Sequence, residues 1–119
     1  VGLVENVTIA NNYLAGLYGV TDTVVYGNNR RPMIAQLAGG KTTNVVIEGN
    51  VFDFQDMGAY LRMATAWNLV DGLSFVNNTV KGTPTTLFYL YDSAGTIKVV
   101  GVAEGLTYTV KGAGTVVKE

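Results

Sequence analysis

The sequence has 119 residues, enough for one domain, of which 48% are apolar and only 14% are charged. The net charge of −1 excludes the basic surface of a nucleic-acid-binding protein, and no apolar run is long enough to span a membrane. The chain has no histidine and no cysteine, which excludes Ser-His-Asp catalysis, His-based metal sites and disulfides within it.

Short strands with period-two alternation recur along the chain, beginning with Val7 and Ile9. Three segments of this kind, residues 6–12, 44–50 and 72–78, end in Asn preceded by Asn or Gly, and a second short strand follows each. Because Gly and Asn tolerate positive φ, each pair predicts a sharp bend between two strands. The aligned asparagines are Asn12, Asn50 and Asn78.

A third strand per repeat is predicted at residues 33–37, 59–63 and 86–90, which we align with one another. Three strands in repeats of roughly 24 to 28 residues favour a solenoid over residues 1–102, with a possible insertion loop at residues 17–31. Glycines bracket the strand-like pieces of residues 103–119, which predicts a β-hairpin or meander that ends or leaves the solenoid.

This pattern resembles the right-handed parallel β-helix of the pectin-lyase-like superfamily, in which the bend between two strands commonly stacks asparagines into a ladder. Asn12, Asn50 and Asn78 match the ladder position, and the resemblance covers residues 3–102, about three coils. Stacked amides pass hydrogen bonds from coil to coil, so we interpret these residues as structural. No catalytic motif of the family can be placed on the sequence.

Alternation in the third strands places one polar and aromatic set on the outer face, and Ala35, Leu37, Phe88 and Leu90 inside. Aromatic rings stack on sugar rings while Arg and Gln supply hydrogen bonds, so this face is a candidate saccharide platform. The same residue types are enriched in subunit contacts, which is the competing interpretation. The candidate binding residues are Gln36, Tyr60, Arg62, Tyr89 and Tyr91.

Catalytic candidates are few. Glycoside hydrolysis usually requires two carboxylates, and Asp53, Asp56 and Asp92 are the weak candidates. A lyase would need a Ca²⁺-binding carboxylate cluster together with a base such as Arg62, and that cluster is missing. We therefore predict no metal and no cofactor.

The sequence opens within a strand-like pattern and lacks an initiating Met, so we interpret it as a segment of a longer protein. A charge-poor β-helix rich in Asn, Thr and Gly resembles part of a bacteriophage tailspike or tail fibre. That resemblance implies a homotrimer in the virion tail, or an extracellular protein, that binds a host-surface polysaccharide. The alternative is a fragment of a secreted polysaccharide lyase or glycoside hydrolase with the same fold.

Overall fold

The computed structural model describes residues 3–15, 35–37, 40–53, 64–82, 86–101 and 107–119. In these ranges all regular structure is β-strand, which confirms the all-β prediction. The strands are β1 Leu3–Ala10, β2 Tyr13–Ala15, β3 Ala35–Leu37, β4 Lys41–Glu48, β5 Val51–Asp53, β6 Ala64–Val76, β7 Thr79–Lys81, β8 Thr86–Val100, β9 Thr107–Val110 and β10 Thr115–Lys118.

The strands form two sheets, and all the pairings between described strands are parallel. The larger sheet has seven strands in the order β1-β4-β6-β8-β10, with β3 beside β6 and β9 beside β8. The smaller sheet has the order β2-β5-β7. Parallel strands that are neighbours in a sheet must be joined by crossover connections, and the predicted repeat contains such connections.

A strand of the larger sheet, a two-residue corner and a strand of the smaller sheet follow one another three times along the chain. We call each such segment a unit: β1–β2, β4–β5 and β6–β7. The units pair in register, so that Ile9, Ile47, Phe75 and Val99 occupy one row across four strands. Equivalent apolar positions are thereby superposed, which is how a short unit can bury its apolar face against its neighbours.

The core lies between the two sheets and is continuous from unit to unit. Phe52 of the smaller sheet stacks on Phe75 of the larger one, with ring centroids 6.1 Å apart, and Phe75 meets Phe88 at 5.5 Å. Full burial of such a ring contributes about 1.5–3 kcal/mol. The inward positions predicted for these strands are confirmed as buried at Val45, Ile47, Phe52, Leu73, Phe75, Phe88, Leu90, Ile97 and Val99.

The described part of the C-terminal segment, residues 107–119, does not form the predicted hairpin or meander. β9 and β10 both pair parallel with β8, one along its first part and the other along its second. The corner between them stays beside β8 because the Lys111 N–H donates to the Leu90 carbonyl at 3.0 Å and the Ala113 N–H to the Ser93 carbonyl at 2.8 Å. A glycine-rich corner serves a parallel repeat as well as a hairpin, so composition could not distinguish the two. The predicted insertion at residues 17–31 lies outside the described residues.

Candidate functional site

Each corner turns at the first of its two residues. Asn11, Gly49 and Asn77 have φ values of 58°, 64° and 51°, and Gly101 opens the equivalent corner after β8 with φ 71°. This confirms the left-handed bend predicted from the Asn-Asn and Gly-Asn pairs. The N–H of each turning residue also donates to the next strand of the stack, as from Gly49 to the Val76 carbonyl at 3.1 Å.

The second corner residue carries the asparagine that links one unit to the next. The backbone N–H and side-chain Nδ2 of Asn12 donate to Asn50 Oδ1 at 3.0 and 3.1 Å, and those of Asn50 donate to Asn78 Oδ1 at the same two distances. Asn50 is fully buried and Asn78 nearly so. These neutral amides satisfy one another and nearby carbonyls, so they hold the corners together and present no reactive group.

Tyr89 and Tyr91 alternate along β8 with the buried Phe88 and Leu90, so both tyrosines lie on the outer face of the larger sheet. Their ring centroids are 4.3 Å apart. The Lys111 Nζ lies 5.4 Å from the centroid of the Tyr89 ring. A hydrogen bond with the Tyr89 side chain raises the pKa of Lys111 above its ordinary value. We call Tyr89, Tyr91 and Lys111 the tyrosine surface.

The register of the larger sheet corrects the row that was expected beside the tyrosines. Gln36 on β3 pairs with Thr65 on β6, and Thr65 pairs with Tyr89 on β8. The sequence alignment had placed Arg62 in the position that Thr65 occupies, three residues away. That alignment assumes a nearly constant number of residues between equivalent apolar positions. In the structure the number differs, because Thr65 follows Gln36 by 29 residues and Tyr89 follows Thr65 by 24. Tyr60 and Arg62 lie outside the described residues.

Asp53, on β5 of the smaller sheet, accepts a short hydrogen bond from the Tyr13 hydroxyl. This bond raises the pKa of Tyr13 because the neutral phenol donates to the carboxylate. The Lys81 Nζ lies 5.5 Å from the centroid of the Tyr13 ring, within the range of a cation–π contact. Asp53 is thus one member of a cluster on the outer face of the smaller sheet, which we call the Tyr13 cluster.

Asp92 stands on the larger sheet, with its Oδ1 directly against Gly112, whose φ is 93°. Asp53 and Asp92 therefore belong to different sheets and contact different neighbours, which does not favour an acid–base pair. Asp56 lies outside the described residues. Over the described ranges, no three Asp or Glu side chains are grouped closely enough to hold a metal ion.

Sequence reasoning missed a second series of left-handed residues, located inside the strands of the larger sheet. Asn6, Asn44, Gly72 and Gly95 have φ values of 57°, 55°, 84° and 66° and stand side by side in the stack. The signal was present, since three of the predicted segments begin with Asn6, Asn44 and Gly72. Apolar alternation on both sides of these residues concealed the bend.

Ser93 was also missed. It is 1% exposed, and its Oγ donates to the Lys111 carbonyl at 2.6 Å and accepts from the Gly114 N–H at 3.2 Å. This hydroxyl therefore ties the corner between β9 and β10 to β8. Nothing in the local sequence around Ser93 predicts a buried position, because its partners lie about twenty residues away and become neighbours only in the stack.

No family model, no curated protein and no solved structure matches the chain. Within the described ranges, no helix has the length and hydropathy required to cross a bilayer.

Proposed function

We propose that this chain is a right-handed parallel β-helix that serves as a structural and polysaccharide-binding segment of a phage tailspike or tail fibre. The fold proposal is supported by the parallel pairing of successive units and by the amide bonds that join Asn12, Asn50 and Asn78. The right hand follows from the general preference of parallel crossover connections.

The observation that carries the binding proposal is the tyrosine surface. Two tyrosine rings 4.3 Å apart on one strand face offer an apolar platform, and the charged Lys111 beside them adds a hydrogen-bond donor. A sugar ring has an apolar face and hydroxyl groups at its edge. The tyrosine rings can stack on the apolar face, and the Lys111 ammonium group can donate to a hydroxyl group. We infer that a host-surface polysaccharide binds across Tyr89 and Tyr91.

The assembly that we propose is a homotrimer, in the virion tail or outside the cell. It is supported by the low charge content of 14% and by the exposed side chains of Val4 on β1 and of Val116 and Val117 on β10. Contact between chains would cover such surface. A secreted lyase or hydrolase fragment is the second candidate, but the separate positions of Asp53 and Asp92 do not favour it.

The binding proposal is tested on an array of purified bacterial capsular and O-antigen polysaccharides. Tyr89→Ala should weaken retention by roughly tenfold, the equivalent of about 1.4 kcal/mol, because one stacking ring is lost. Tyr13→Ala is the matched control, since it removes an exposed tyrosine from the other sheet. Equal retention of the wild type and Tyr89→Ala would contradict the proposal.

The assembly proposal has its own measurement. Light scattering of the purified chain should give the mass of three copies, and a stable monomer over the accessible concentration range would argue against the trimer. This result is independent of polysaccharide binding, so the two parts of the proposal can fail separately.

A further inference from the structure

A surface groove of about 360 Å³ opens on the larger sheet where the second series of left-handed residues bends the strands. Ser74 and Val46 line it from positions that alternate with the buried Val45, Leu73 and Phe75, which places the groove on the outer face. Its volume falls at the lower end of the range of small-molecule sites, about 300–1,000 Å³. We call it the bend groove. Its polar and glycine lining residues are Asn44, Asp71, Gly72, Ser74, Gly95 and Thr96.

The two glycines let neighbouring polar side chains pack closely against the main chain at the bottom of the groove. A Cβ on Gly72 would lie 3.2 Å from Asn44 Oδ1, and one on Gly95 would lie 2.7 Å from Asp71 Oδ1. The register between β6 and β8 also shifts at this point, so β8 has one extra residue opposite Gly72. A bulge of this kind increases the local bend of a strand and is common beside binding sites.

The polar groups around the groove are neutral as a set. The Lys41 Nζ lies 3.0 Å from Asp71 Oδ2, so the one carboxylate that lines the groove is paired. The hydroxyls of Ser74 and Thr96 make no hydrogen bond within the described part of the chain. The groove therefore offers two hydroxyls, a paired carboxylate and the Asn44 Oδ1 beside the apolar side chain of Val46, while the Asn44 Nδ2 donates to Asn6 Oδ1 at 3.3 Å.

We propose that the bend groove binds a neutral, hydroxyl-rich ligand of the size of one or two sugar rings. Hydroxyl groups both donate and accept, so they match Ser74, Thr96 and the free Asp71 oxygen without bringing a charge to an already neutral site. An anionic ligand would meet the Asp71 carboxylate. A bare cation would find one carboxylate that already has a lysine partner.

The bend groove is separate from the tyrosine surface. None of Tyr89, Tyr91 and Lys111 lines the groove. Thr96 follows Tyr91 by five residues on β8, at most about 16 Å along a strand that bends at Gly95 between them. The two sites can therefore bind independently, and the groove proposal does not depend on the polysaccharide proposed for Tyr89 and Tyr91.

The test is an NMR titration of the ¹⁵N-labelled chain with glucose, galactose, mannose and maltose, up to tens of millimolar. We expect saturable shifts of the amides of Ser74, Gly95 and Thr96 with at least one of these sugars. The double variant Ser74→Ala, Thr96→Val should lower the affinity roughly tenfold, because it removes two hydroxyl partners of the ligand.

Thr8→Val is the matched control. Thr8, on β1, lies in the same outer row as Ser74 on β6, but it does not line the groove. It should leave the affinity unchanged. Three outcomes would overturn the proposal: no shift at these three amides with any of the four sugars, equal affinity of the double variant, or preferential binding of glucuronate or Ca²⁺ in parallel titrations. Backbone spectra of the variants show whether the fold is kept.

Discussion

Asn50 Oδ1 accepts two hydrogen bonds from Asn12, one from the backbone N–H and one from the side-chain amide. The Asn50 Nδ2 in turn donates to the Ile9 carbonyl at 2.9 Å and to Asn78 Oδ1 at 3.1 Å. One fully buried side chain thus joins three successive units and satisfies polar groups that have no access to water.

Replacing Asn50 by alanine should destabilise the fold by about 3 kcal/mol, because several buried donors and acceptors lose their partner at once. Asn12→Ala is the matched control at the exposed end of the same row, where water replaces the lost bonds, and it should cost about 1 kcal/mol or less. Urea unfolding followed by circular dichroism measures both. Equal losses for the two variants would show that the buried amide bonds carry no special weight.

The ladder positions could be predicted because a positive φ and a corner amide demand particular residues. Asn and Gly are almost the only residues that suit the turning position, so the pairs 11–12, 49–50 and 77–78 were recognisable from letters alone. The buried rows at Ile47, Phe75 and Val99 were predictable for a similar reason, since strict alternation reflects a two-sided strand.

The row at Gln36 and Tyr89 was not predictable in the same way. Its register depends on how many residues each connection contains, and the bulges in β6 and β8 change the interval between rows. Lys111 and Ser93 depend on stacking as well, because both acquire their partners from strands that are distant in sequence. Sequence patterns therefore predict the local backbone conformation well. They predict contacts between units only where the repeat has a constant length.

Gly49 has φ 64°, and a Cβ added there would lie 2.5 Å from Asn11 Oδ1. Gly49→Ala should therefore destabilise the protein by about 2 kcal/mol. The left-handed conformation alone costs an alanine about 1–2 kcal/mol, and the close contact adds to that cost. The control is Asn77→Gly at the equivalent turning position, where glycine suits φ 51°. Thermal unfolding should show a clear loss for the first variant and little change for the second, and similar losses would contradict the assigned backbone geometry.

The pKa of Tyr13 is raised chiefly by its hydrogen bond to Asp53. Asp53→Asn should therefore lower the pKa of Tyr13 towards the ordinary tyrosine value of about 10. NMR titration of the chain labelled at tyrosine ¹³Cζ gives a signal for each of the seven tyrosines, and the Tyr13 signal is assigned by its loss in Tyr13→Phe. Asp71→Asn serves as the charge-matched control on the other sheet. An unchanged Tyr13 titration in Asp53→Asn would exclude the bond as the cause.

The same shift predicts a pH dependence of stability. Because the pKa of Tyr13 is higher in the folded state, its contribution is fully present below the unfolded value of about 10 and is lost as the pH rises through the folded value. Tyr13→Phe should remove this dependence and should lower the free energy of unfolding slightly at neutral pH, where the contribution is present; the loss is small because Tyr13 is 60% exposed. An alkaline stability profile identical to that of the wild type would contradict the assignment.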